Sequence, residues 1–258
     1  RFLGRGRGIR TPISVIDGRP LSNTVGTVLD PIFSLRCCVR LPPGATVRVA
    51  FWTLIAPSRN EALDLADKHH DSTAFERALT LAWTQAQVQL HHLGVGPDEA
   101  HLFQRLANHV LYSDPALRPS SEVLKRNERG QSTLWAHGIS GDLPIVLVRI
   151  DEVEDLEIVR QLLRAHEYWR MKRLAVDLVI LNERPSSYTA DLQGALEAIL
   201  RASQSRGHPE AEDVRGGEFV LRADLISVEM RTLLQSVARA VLLSRRGSLF
   251  EEVRRAEE

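Results

Sequence analysis

A chain of 258 residues with 43% hydrophobic content is long enough to bury at least one full core, and 33 basic against 33 acidic residues leave it with no formal charge. That balance excludes a disordered tail and any net field drawing the chain toward nucleic acid or anionic lipid. Its two cysteines, Cys37 and Cys38, are adjacent, which offers neither a disulfide framework nor a spaced metal set and fits a reducing compartment.

No stretch approaches the roughly 18 apolar residues of a membrane span, so no direct membrane insertion is expected of this segment. The first residues show no signal-peptide pattern. Arg1 stands where a methionine would, and the opening reads as mid-domain sequence, so we expect a piece of something longer. The early Gly4-Arg5-Gly6-Arg7-Gly8 has neither a strand before it nor a helix pattern after it, and so lacks the context of a phosphate cradle.

From Ile32 to Leu41 the residues alternate: Phe33, Leu35, Cys37, Val39 and Leu41 on one face, Ser34, Arg36, Cys38 and Arg40 on the other. Pro42-Pro43-Gly44 supplies a turn, and Val47, Val49, Phe51, Thr53 and Ile55 alternate again. The pattern predicts an antiparallel hairpin at the end of a β-sandwich or barrel. It also sends the two thiols to opposite faces, as packing atoms.

Helices follow. Ser58 with Glu61 reads as a capping box for a helix to about His69, and Thr73 with Glu76 starts a longer one. On it Phe75, Leu79, Ala82, Trp83, Ala86, Leu90 and Leu93 form one apolar stripe that stops at Gly94. Pro97 sits in the first turn of a third helix carrying Leu102, Phe103, Leu106 and Val110. His69, His70, His91, His92 and His101 gather here, but adjacent histidines diverge by about 100° on a helix, which favours solvated surface over a metal site. Ser113 to Gln131 has no period and reads as a loop, its Lys125 to Arg129 charges a solvated face.

From Leu143 the pattern becomes strand, helix, strand, helix, strand, helix. The apolar runs Leu143–Ile150, Ala175–Asn182 and Glu218–Ile226 are the strands. A helix opened by Asp151 and Glu154, one striped by Leu192, Ala195, Ala198 and Ile199, and one capped by Ser227 and running through Val237 and Val241 are the helices. The alternation predicts a small three-layer α/β unit with a parallel βαβαβ sheet. The expected organisation is sandwich strands over 1–57, a helical linker over 58–112, a loop over 113–142 and the α/β unit over 143–258.

Chemistry has two candidate locations. The glycine loop ahead of the first strand holds Trp135, His137, Ser140 and Asp142. Ser140 nearly matches a nucleophile elbow, but Asp142 replaces the last glycine and the loop precedes a strand instead of following one. His137, Ser140 and Asp142 are too close in sequence for a triad, and Ser and Asp here read first as turn-formers. Trp135 offers a face on which a sugar ring can stack. The second location is the carboxyl ends of the strands, where open parallel sheets bind ligands: Asp151, Asn182, Glu183, Arg184 and Asp224. Against it, Asp151 also reads as a helix cap and Arg184-Pro185 as a turn. The two locations lie at opposite ends of the sheet.

LWAHGISGDLPIVLVRI (134–150), AHEYWRMKRLAVDLVILNE (165–183) and RADLISVEMRTLLQSVARAVL (222–242) resemble the cyclic β-1,2-glucan synthases, in the large carboxyl-terminal region related to glycoside hydrolase family 94. PLSNTVGTVLDPIFSLRCCVRLPPG (20–44) is similar to the closing strands of that family's sugar-binding sandwich. The resemblance runs over essentially the whole chain. It implies a membrane-bound bacterial parent, on the cytoplasmic side of the inner membrane, that builds β-1,2-glucan from UDP-glucose, cyclises it and controls ring size.

In that family a carboxylic acid protonates the glycosidic oxygen while phosphate attacks the anomeric carbon with inversion, so the resemblance implies no metal or redox cofactor. The family's (α/α)6 barrel and its Arg-Asp motif are not recognisable here, and no catalytic residue is carried over. The expected role is a noncatalytic framework or glucan-presenting part, with β-1,2-glucan and the parent's other domains as partners. A self-contained carbohydrate-active enzyme and a glycan-binding module are the alternatives.

Overall fold

The computed structural model describes residues 2–27, 32–112, 115–184, 189–204 and 216–258. The chain falls into two compact units, Arg1–Phe75 and Glu76–Glu258.

The first unit holds α1 (Ile13–Ile16) and α2 (Arg59–His69). α2 begins where the capping box places it: Ser58 Oγ accepts from the Glu61 N–H at 3.2 Å. Trp52 lies beside His69, ring centroids 5.1 Å apart, and edge-on to Phe75 at 6.3 Å. The alternating segments predicted as a hairpin keep their turn, with Ala45 N–H donating to Pro42 O at 3.1 Å, but form no strand ladder among the described residues. Phe33, Leu35, Val39, Leu41, Val47, Val49 and Phe51 are all exposed, as are Cys37 and Cys38. An alternating pair of segments with no second apolar layer over it among the described residues is marginal as a hairpin, which accounts for the missing ladder.

α3 (Ser72–Leu93) ends at Gly94, which takes φ +63 as a helix-terminating glycine does. Of its apolar stripe, Leu90 and Leu93 meet the core of the second unit, whereas Leu79 and Trp83 stay 56% and 65% exposed. α4 (Pro97–Leu111) buries Leu102, Phe103, Leu106 and Val110 on one face. The predicted loop to Gln131 is interrupted by α5 (Ser121–Arg126), and a short α6 (Ser132–Trp135) follows it; Ser113 lies outside the described residues.

The rest is β1 (Ile145–Ile150), α7 (Leu156–Met171), β2 (Asp177–Asn182), α8 (Thr189–Gln204), β3 (Glu218–Arg222), α9 (Val228–Val237), β4 (Ala240–Leu243) and α10 (Leu249–Glu257). The sheet is parallel throughout, in the order β3-β2-β1-β4. The βαβαβ arrangement is thus present with one strand more. Val237 and Val241 stand four apart, so a helix stripe absorbs both. In the structure α9 stops at Val237, Arg239 N–H donates to Ile145 O at 2.7 Å, and Val241 lies in β4. A short buried strand cannot be told from a helix end by spacing.

Side chains alternate across the sheet. Val146, Val148 and Ile150 of β1 and Leu178 and Ile180 of β2 join α4, α7, α8 and α10 in one core. Ile145, Leu147, Val179 and Leu181 join Leu134, Ile139 and the Met230, Leu233 and Leu234 stripe of α9 in the other. Helices thus cover both faces, which is why β1 and β2 read as unbroken apolar runs. α4 is stitched to α7: Trp169 Nε1 donates to Phe103 O at 3.0 Å, Gln104 to the Tyr168 hydroxyl at 2.8 Å, and Arg164 pairs with Glu99 at 2.7 Å.

Candidate functional site

The strand order runs 3-2-1 and then returns to 4, so the sheet changes direction between β1 and β4, and its carboxyl edge is where an open doubly wound sheet takes ligand. At that edge the turn after β1 reads Asp151-Glu152-Val153, with two acids and no glycine. This is unsuited to a phosphate, which asks for close, uncharged backbone approach. Asp151 does not cap a helix as expected. A 3-10 turn over Val153–Asp155 comes first, with Glu152 at its cap position, and α7 starts at Leu156 with Asp155 at its cap.

Ile150 pairs with Asn182 and Asn182 with Arg222, which brings Asp151, Asn182, Glu183, Arg184 and Asp224 to one edge as expected. Most of their polar groups are engaged with neighbours. Arg149 Nε donates to Glu183 Oε1 at 2.9 Å, and Asn182, 1% exposed, gives its amide to Gln193 Oε1 at 3.2 Å and accepts the Arg184 N–H at 3.1 Å. Arg222 grips both oxygens of Asp224 and, chiefly through that hydrogen bond, holds its carboxyl below the usual range. Strand β3 ends at Arg222, earlier than the predicted Ile226, and Asp224 sits in the turn beyond it. Pro185 lies outside the described residues.

At the opposite edge the glycine loop is a turn locked by its own side chains. Asp142 N–H donates to Ser140 Oγ at 3.1 Å, and Ser140 O accepts from both Gln131 Nε2 (2.9 Å) and Trp135 Nε1 (3.1 Å). Gln131 Nε2 also reaches Asp142 Oδ1 at 2.9 Å. No hydrogen bond among the described residues joins His137 to Ser140 or Asp142. Gly141, at φ +76, is required by close approach: a Cβ there would lie 2.8 Å from Gln131 Cγ and 3.0 Å from Leu134 Cδ1. A cavity of about 180 Å³ opens beside it, with Arg129, Gln131 and Leu233 in its lining.

A third polar cluster escaped the sequence reading. His166, 1% exposed, sets Nε2 2.8 Å from Val176 O and Nδ1 3.0 Å from Glu218 Oε1. A carbonyl only accepts, so Nε2 carries a hydrogen. Asp177 beside it accepts the Gly217 N–H at 2.9 Å; burial pushes its carboxyl pKa up, against that hydrogen bond. The signal available was a histidine on the apolar stripe of α7, four residues after Leu162 and three before Trp169. The signal for Arg149 was a lone cation in IVLVRI. Among the described residues no group of three or more His, Cys, Asp or Glu is placed to hold a metal, and no helix is long and apolar enough to cross a membrane.

Residues 1–72 match the family model of the glycosyl hydrolase 94 supersandwich domain, which gives the alternation at 32–55 its architectural meaning. Residues 1–72 are therefore similar to a glycosyl hydrolase supersandwich domain, and helices and a doubly wound α/β unit follow them in the chain. The whole chain is 42% identical over 257 residues, 99% of its length, to the cyclic beta-(1,2)-glucan synthase NdvB of Rhizobium meliloti (strain 1021). It spans about 9% of the length of that synthase. The resemblance to the cyclic β-1,2-glucan synthases and to family 94 drawn from the sequence is borne out.

Proposed function

We propose that this chain is a noncatalytic framework and glucan-presenting part of a cyclic β-1,2-glucan synthase. In this reading its partners are β-1,2-glucan and the remaining domains of a membrane-bound parent, on the cytoplasmic side of the inner membrane. The observation that carries the reading is the commitment of the candidate chemical groups to structure: Ser140 and Asp142 to a turn, Glu183 to Arg149, Asn182 to Gln193 and Asp224 to Arg222. A general acid needs a proton free to move toward a glycosidic oxygen, and Asp224, tied to the Arg222 guanidinium, is held below the usual carboxylate range.

The test is phosphorolysis. Incubated with β-1,2-glucan and inorganic phosphate, the chain is expected to release no glucose 1-phosphate. Turnover that Asp142→Asn or Glu183→Gln abolishes would overturn the reading in favour of a self-contained enzyme.

A further inference from the structure

We propose that the cavity between the glycine loop and α9, at the amino edge of the sheet, is a subsite for one uncharged pyranose unit of a glucan. This rests on the glucan-presenting reading and gives it a location.

The first support is size. The cavity measures about 180 Å³ and is partly open to solvent, room enough for one ring where an enclosed apolar cavity of roughly 150 Å³ holds benzene. Shape and chemistry agree with it. Leu134, Leu143, Leu233 and Val237 supply an aliphatic wall suited to the C–H face of a sugar ring, while Arg129 and Gln131 add polar groups suited to its hydroxyl edge. No carboxylate contributes to the lining.

The polar groups are positioned, not loose. Gln131 is fixed by giving its Nε2 to Ser140 O and Asp142 Oδ1, which leaves its Oε1 as an acceptor. Asn127 and Arg129 are joined by a backbone N–H donated to the Asn127 Oδ1 at 3.2 Å, which braces the segment that carries the guanidinium. Glu229 stands in the field of Arg129. That carboxyl is held below the usual range first by its own backbone N–H and Ser227, and in smaller part by the Arg129 charge. Trp135 shares the Ser140 O acceptor with Gln131, so its indole, 63% exposed, lies close to the polar side of the cavity as an apolar plane and a reporter.

The requirement for glycine at 141 belongs to the same design. Any side chain there would displace Gln131 and Leu134, the residues that join the loop to the cavity.

The experiment is a titration of the 258-residue chain with β-1,2-linked glucotriose, by calorimetry and by tryptophan fluorescence, with α-1,4-linked glucotriose and inorganic phosphate as comparisons. Saturable binding of the β-1,2 ligand is expected with Kd on the order of 1 mM. Arg129→Ala, at an exposed position, and Val237→Phe, which fills the cavity, should each weaken it at least tenfold. Trp135→Phe should remove the fluorescence change.

Absence of saturable binding, binding indifferent to Arg129→Ala in a variant with unchanged circular dichroism, or tighter binding of phosphate than of glucotriose would each overturn the proposal. Release of glucose 1-phosphate would defeat the framework reading instead, and the Arg129→Ala titration would still decide the cavity.

Discussion

Trp169→Phe tests the packing of α4 on the α/β unit. The indole is 1% exposed and its N–H donates to Phe103 O, a carbonyl inside α4. Losing that bond should cost about 1 kcal/mol, since the carbonyl keeps its own helical partner and only the added donor is removed. The smaller ring leaves a hole of roughly 40 Å³, which at about 24 cal/mol per Å³ adds about 1 kcal/mol. The total, about 2 kcal/mol, corresponds to a fall in Tm of roughly 4–8 °C for a unit of this size. Urea and thermal unfolding followed by near-ultraviolet circular dichroism measure it. Trp83→Phe, at an indole 65% exposed on α3, is the control and should stay within about 0.5 kcal/mol. A loss at Trp169 no larger than the control's would refute the packing of α4 on α7.

Two further outcomes concern the buried polar cluster. His166→Ala removes the partner of Glu218 and of Val176 O and should cost about 3 kcal/mol in urea unfolding; a loss under about 1 kcal/mol would mean the pair is not formed. Asp177 has its pKa raised chiefly by burial, so its ionisation penalises the folded state as pH climbs from the unfolded carboxylate value through the folded one. Asp177→Asn keeps an acceptor for the Gly217 N–H and removes the penalty. The stability of the variant relative to the parent should therefore rise as pH climbs through and above the ordinary carboxylate range, and a difference flat with pH would contradict the assignment.

The elements readable from sequence were those whose signals are local. Ser58 with Glu61 and Ser227 with Met230 marked helix starts because capping joins residues three apart. Leu143–Ile150 and Ala175–Asn182 marked strands because helices cover both their faces. What stayed hidden depended on long separations. β4 was concealed behind a four-residue spacing shared with α9, and its identity rests on pairing with β1. The His166–Glu218 contact joins residues 52 apart, and Arg149 meets Glu183 only through the register of β1 and β2. The hairpin at 32–55 shows the converse: the alternation was legible, but a ladder also needs a layer to cover its apolar face.

The candidate site divides in the same way. That Ser140 and Asp142 serve a turn follows from what short polar side chains do beside glycine. That the strand-end residues share an edge follows from parallel topology. The ion pairs that occupy them, and a cavity whose lining comes from three separate stretches of the chain, do not.

The order β3-β2-β1-β4 has a consequence for biosynthesis. Val146 pairs with Ala240, so one flank of the central strand awaits a partner nearly a hundred residues downstream, on the order of ten seconds at ordinary translation speeds. Until then the nascent chain displays a greasy, hydrogen-bond-hungry border next to the ribosome, the kind of surface on which neighbouring polypeptides coalesce. Emergence of residues 228–258, bringing α9, β4 and α10, is the event that seals it.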